Sequence, residues 1–364
     1  MKTIRHIYPG GNTRYGFYSF YDYILPLAGQ DEYKMILKGG PGTGKSSLMK
    51  KVGEHFNAHE LEYHWCSSDN QALDAVVIDA RICILDGTAP HTVDPRYPGA
   101  YDDIIPLGNY WDGDRLQAQR HSIQLLTDEV SQFFQLAYYR LREAYTAYQE
   151  WEYYYQHHID KARVKKNIMA LGSEFMATRS VSSPAPTRHL FAAAITPQGI
   201  VTRVESLLPE KIQLFAVKGS PGSGKSELFH FISRQCAISG IGLEHYHNPF
   251  NPDEIDLLIA PEREIALLDI SGIFVDYEAH LSKHQYLRLL DFDQLLNPTS
   301  IDPWAKRIHQ TQNRLIDAIQ DASQLIRYAK ERHDELEAIY IAAMHFDELD
   351  QLQEQIIKQI IARI

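Results

Sequence analysis

Two short stretches of this sequence share an arrangement suited to holding phosphate. Lys38-Gly39-Gly40-Pro41-Gly42-Thr43-Gly44-Lys45-Ser46 and Lys218-Gly219-Ser220-Pro221-Gly222-Ser223-Gly224-Lys225-Ser226 both contain G-x-x-x-x-G-K-[ST]. Glycines at these spacings let the backbone turn so tightly that successive N–H groups face inward around an anion. The start of a following helix adds its partial positive charge. Lys45 and Lys225 are expected to reach the β- and γ-phosphates of a nucleoside triphosphate such as ATP, and the hydroxyls of Ser46 and Ser226 to bind Mg²⁺. Ser47 and Glu227, at the first helical turn, complete the expected nucleotide-contacting set.

Such loops need a strand before them, a helix after them and an acid beside them. Met35-Ile36-Leu37 and Leu214-Phe215-Ala216-Val217 predict the strands, and Ser47-Leu48-Met49 and Glu227-Leu228-Phe229 open amphipathic helices. Arg81-Ile82-Cys83-Ile84-Leu85-Asp86 and Glu264-Ile265-Ala266-Leu267-Leu268-Asp269 are apolar runs ending in aspartate. Asp86 and Asp269 at the carboxyl ends of strands can hold a Mg²⁺-bound water beside the loops; the alternative is a turn cap.

For proton chemistry the candidates lie in the first half. Asp69, in Cys66-Ser67-Ser68-Asp69, or His91, after Asp86-Gly87-Thr88-Ala89-Pro90, is expected to position an attacking water or accept a hydroxyl proton near the γ-phosphate. Aligned with the second half, Asp69 falls opposite Asn251, His91 opposite Phe274, and Thr88 opposite Ser271, so catalytic groups are expected to concentrate with Lys45. The structural alternatives are a cap by Asp69 on a helix beginning near Gln71, and a hydrogen-bonded loop imidazole at His91. Cys66 has no assignable base and reads as a buried or loop thiol. No histidine pair has metal-ligand spacing, so a transition-metal site is not expected.

The loops belong to a longer internal repeat. Arg5-His6-Ile7-Tyr8 matches Arg188-His189-Leu190-Phe191 and Thr13-x-x-Gly16 matches Thr196-x-x-Gly199, both at an offset of 183. The loops follow at 180, and Leu73-Asp74 and Ile255-Asp256 at 182. This predicts an α/β protein of two tandem P-loop NTPase domains, each a mainly parallel sheet flanked by helices. The first spans 1–171 and the second 188–364, joined by a Ser- and Pro-containing linker at 172–187. Arg5 and Arg188 are candidates for reaching a phosphate, the alternative being ordinary surface pairing.

Each half ends in a stretch free of Gly and Pro, 114–171 and 304–364. Apolar residues recur at helical spacing through Leu126, Val130, Phe133, Ala137, Leu141, Tyr145 and Tyr148, and through Leu315, Ile319, Ala322, Ile326 and Ala329. One uninterrupted helix of either stretch would run roughly 87 Å, so each predicts a helical hairpin arm that can meet its counterpart or a protein partner. Tyr138, Tyr139, Tyr145, Tyr148, Tyr153, Tyr154 and Tyr155 lack interleaved basic residues and read as a packing face rather than a base-stacking platform.

The net charge of -11 argues against a broad nucleic-acid surface. Three cysteines without CxxC spacing point to a reducing cytoplasm, and no apolar run is long enough to span a membrane.

The motifs at 38–46, Cys66 to Asp69 with Leu73-Asp74, and Asp86 to His91 with Asp94-Pro95 and Pro98-Gly99 resemble a family of bacterial double P-loop ATPase-like, nucleotide-kinase-like proteins of spore-forming and related Gram-positive bacteria. The resemblance spans nearly the whole chain and departs at Asp269-Ile270-Ser271-Gly272, where the first half has Asp-Gly-Thr. It implies ATP binding and the P-loop fold, with no fixed substrate. The expected function is an ATPase whose nucleotide cycle moves the two halves. A phosphotransferase and a non-hydrolysing ATP-binding module are the alternatives.

Overall fold

The apolar runs around the glycine-rich loops form the inner strands of two sheets. A computed structural model of the chain describes residues 3–25, 32–89, 92–177, 187–296 and 301–364. The first sheet is ordered β1 (Ile4–Ile7), β5 (Leu61–Trp65), β6 (Leu73–Ile78), β7 (Ile82–Asp86), β4 (Tyr33–Lys38), β8 (Asp102–Pro106). The second is ordered β9 (Arg188–Phe191), β13 (Glu244–His247), β14 (Ile255–Ala260), β15 (Ile265–Asp269), β12 (Gln213–Lys218), β16 (Tyr286–Asp291). Each sheet is mixed. All neighbours run parallel except β6 and β14, which oppose both of their partners. The inner strands are buried on both faces, which is why they read as continuous apolar runs rather than alternating ones.

The Thr-x-x-Gly repeat marks two small hairpins, β2 (Gly10–Thr13) with β3 (Gly16–Ser19), and β10 (Ala193–Thr196) with β11 (Gly199–Thr202). In each, the threonine hydroxyl donates to the glycine carbonyl across the turn, at 2.9 and 2.8 Å, while the glycine takes a left-handed φ of 97° or 95°. The hairpins meet where the halves join, and Tyr8 and Phe191 exchange both backbone hydrogen bonds there at 3.0 Å.

Seven α-helices occur among the described residues: α1 (Lys45–His55), α2 (Gly113–Ala118), α3 (Arg120–Gln156), α4 (Lys161–Ala177), α5 (Lys225–Ile238), α6 (Ala305–Ala343) and α7 (Phe346–Ile361). The expected hairpin in each half is not what forms. At 37 residues α3 spans roughly 55 Å and carries the chain from the first sheet to the second. The 39-residue α6 returns antiparallel beside it, with Phe133 against Tyr328, Glu150 paired with Arg314, and Tyr154 against Trp304. Two long helices are stable here because each buries the other's apolar stripe: Ala137, Leu141, Ala144 and Ala147 face Leu315, Ile319, Ala322 and Ile326. Most of the tyrosines pack at this seam, though Tyr139 and Tyr153 stay exposed.

The ends of the two arms are therefore exchanged. Val164, Ile168, Leu171 and Phe175 of α4 join the core of the second sheet beneath α5. Leu349, Ile356 and Ile360 of α7 join that of the first sheet beside α1. The expected linker is corrected accordingly: Gly172 lies inside α4, and residues 178–186 fall outside the described set. A glycine is needed there because a Cβ would come within 2.5 Å of the Phe231 ring of α5.

Arg5 and Arg188 reach neither glycine-rich loop. Both are held at the junction of the halves by Glu62 and Glu244. Arg188 donates to Glu62 at 2.9 Å and Arg5 to Glu244 at 2.5 Å, so each arginine grips the acid of the opposite half. Burial alone would neutralise these groups, yet the arginines hold Glu62 well below the usual carboxylate range and keep Glu244 low as well.

Beside this cluster, the buried His245 and the half-buried His189 and His247 form an imidazole group on β9 and β13. His189 and His247 share a 2.8 Å hydrogen bond between ring nitrogens, and His245 pairs with Ser233 at 2.7 Å. Desolvation, then the neighbouring imidazoles, pushes His245 down to about 3 and His247 to about 4. Below pH 6.5 the unfolded chain takes up protons that the folded one refuses, so this stability is complete above pH 6.5 and lost as the pH falls toward 4. Between pH 6.5 and 5.5 the two histidines should cost about 2 kcal/mol, read as a drop in the urea midpoint that His245→Gln reduces.

Candidate functional site

Each glycine-rich loop links an inner strand to a helix. Gly44 and Gly224 precede α1 and α5 with φ of 84° and 100°, so the loops need residues that accept left-handed backbone at those positions. The lysines fold back over their own loops. Lys45 donates to the Gly39 and Gly40 carbonyls at 2.9 and 2.7 Å, and Lys225 to those of Gly219 and Ser220. The strand-end aspartates lie alongside, with Asp86 3.5 Å from the Lys45 amine and Asp269 3.6 Å from that of Lys225. β7 and β15 pair directly with the loop-bearing β4 and β12, and that pairing sets these distances.

The aligned Thr88 and Ser271 do the same work in both halves. The Thr88 amide donates to Asp86 at 2.9 Å and the Ser271 amide to Asp269 at 2.8 Å, while their hydroxyl oxygens face the Gly39 and Gly219 amides. The magnesium candidates Ser46 and Ser226 differ. Ser46 Oγ accepts from the Leu73 amide at 2.9 Å, whereas Ser226 donates to Glu254.

Of the proton-transfer candidates of the first half, only Asp69 is among the described residues. Asp69 pairs with Lys330 of α6 at 3.3 Å and accepts from the Gln71 amide at 2.8 Å. It closes a turn before β6 rather than capping a helix, since no helix begins at Gln71. His91 lies outside the described residues. Cys66 is desolvated, which lifts its thiol well above the ordinary range and removes thiolate character.

A cavity of about 190 Å³ opens instead beside the second loop, between Lys225, Ser226 and the end of α3. Its walls bring together Glu152, Glu254, Asp256 and Asp269. Asp256 accepts from Asn248 at 3.0 Å and from the Tyr277 hydroxyl at 3.0 Å. Burial, then the charge of Asp269, pushes its carboxyl up to about 7. Glu152 is also raised, by burial and then by Glu254. The sequence carries one signal for Asp256, an acid inside the otherwise apolar run Ile255 to Ala260. Glu152 gave none, because its partner surface belongs to the other half.

A carboxyl raised from 3.8 to about 7 stabilises the fold fully below pH 4 and loses that contribution as the pH rises through 7. Asp256→Asn removes the loss. At pH 8, without ligand, the variant should be more stable than the parent by about 4 kcal/mol in urea unfolding, with the difference shrinking as the pH falls and vanishing only below about pH 4.

The donor set suits a magnesium triphosphate: lysine amine and loop amides for phosphate oxygens, and hydroxyl and carboxylate oxygens for a hard cation. No helix among the described residues is long and apolar enough to cross a membrane. Comparisons with protein-family models, with curated proteins and with solved structures found no match to this chain.

Proposed function

We propose that this chain is a Mg²⁺-dependent ATP-binding protein built from two duplicated P-loop units, and that it hydrolyses ATP to shift its halves relative to each other. The observation that carries the reading is the pairing, found twice, of a glycine-rich loop and its lysine with a strand-end aspartate less than 4 Å away. The shared strand order of the two sheets supports the duplication. Bound ATP would lay its phosphates against the loop amides, with Lys45 or Lys225 turning from the loop carbonyls to the phosphate oxygens. Ser46 with Asp86, and Ser226 with Asp269, would hold Mg²⁺, which supplies charge neutralisation at the transferring phosphoryl group.

Transfer to an acceptor other than water is the second reading, favoured by the cavity at the second loop. Asp256 there is a buried carboxyl poised near neutrality, able to accept a hydroxyl proton. Incubation with γ-labelled ATP and Mg²⁺, alone and with a panel of hydroxyl-bearing acceptors, separates the two. Inorganic phosphate release supports hydrolysis, and label on an acceptor supports transfer. Tight binding with neither product leaves a regulatory module and rejects turnover.

A further inference from the structure

Each loop is covered by a helix from the other half, and each covering helix brings a glutamate. At the first loop, the Gly42 amide donates to Glu337 Oε1 of α6 at 3.3 Å. The covering is tight, since a Cβ on Gly42 would lie 2.6 Å from the Glu337 carbonyl oxygen. At the second loop, a Cβ on Gly222 would lie 2.5 Å from the Glu152 carbonyl oxygen of α3 and 3.1 Å from Glu152 Cγ. The two glutamates hold matched places. Seven residues beyond each, the chain bridges to the half whose loop it covers, Met344 to Trp111 and Ile159 to Leu296.

Resting on the nucleotide reading above, we propose that Glu337 and Glu152 are removable plugs, carboxylates that occupy the approach to the phosphate loops and must be expelled by an incoming triphosphate. A loop amide that donates to a phosphate oxygen will also donate to a carboxylate oxygen in its absence, because both are anionic acceptors. The two cannot share the space. Two like charges in that space repel each other, which favours expulsion of the glutamate. Because α3 and α6 are packed against each other along their length, expulsion of either glutamate strains the seam that joins the halves. The plugs thereby connect phosphate entry to movement of the long helix pair.

The test uses full-length protein, Mg²⁺ and a non-hydrolysable ATP analogue, titrated by calorimetry. Lys225→Ala isolates the first loop and Lys45→Ala the second. In the Lys225→Ala background, Glu337→Gln and Glu337→Ala should each tighten binding by at least about tenfold. In the Lys45→Ala background, Glu152→Gln should do the same. Glu337→Gln in the Lys45→Ala background should leave affinity within about threefold. Binding at both loops that these substitutions leave unchanged or weaken overturns the plugs while sparing the nucleotide reading. Absence of binding in the parent and every variant overturns both.

Discussion

Lys225→Ala is expected to weaken Mg-ATP binding at the second loop by about a hundredfold, equivalent to about 3 kcal/mol. The lysine is nearly buried and its amine sits between the Gly219 carbonyl and Asp269, so it is held ready rather than recruited from solvent. On the proposed reading it would exchange carbonyl acceptors for phosphate oxygens, and charge-assisted bonds of that kind are about twice as strong as neutral ones. Lys45→Ala should act the same way on the first loop, where the amine is 3.5 Å from Asp86. Calorimetric titration of each variant reads the two losses separately. Lys225→Ala with unaltered affinity at both loops would show that the second loop does not bind phosphate.

The second large effect concerns the junction of the halves. Arg188→Ala should lower the unfolding free energy by about 3–5 kcal/mol, because it leaves Glu62 buried without its closest cation. Arg188 is 5% exposed and also donates to the Tyr23 and Ile24 carbonyls, so its loss orphans backbone acceptors too. The direction reverses when charge is removed in pairs. Arg188→Met combined with Glu62→Leu should cost less than Arg188→Ala alone, since no lone charge remains inside. Urea unfolding followed by fluorescence measures both. A fall below about 1 kcal/mol for Arg188→Ala would place the cluster among weak surface pairs.

Residues whose role is fixed by near neighbours in sequence were the most legible. The strands before the loops, the helices after them, and Asp86 and Asp269 at strand ends follow from apolar runs, glycines and short connections. Thr88 and Ser271 could be matched by alignment, and they take matched positions in the structure. The exchange of α4 and α7 was not legible. Periodicity shows that Val164, Ile168 and Phe175 share an apolar face, but it is silent on which core that face enters. Gly172 looked like the start of a linker because a glycine that ends a helix and one that admits a close neighbour are written with the same letter. Arg5 and Arg188 read as surface residues because Glu62 and Glu244, which draw them inward, sit on strands far along the chain. The same limit hid Glu152 and Glu337, whose surroundings are built by the opposite half.

In the proposed function, backbone amides around Lys45 and Lys225 hold a triphosphate. Calorimetric titration of the unaltered protein with Mg-ATP tests it most directly, and about two nucleotides bound per chain is the expected result, with a matching rise in thermal midpoint. No heat and no stabilisation with Mg-ATP, Mg-GTP or any other magnesium nucleoside triphosphate would contradict it.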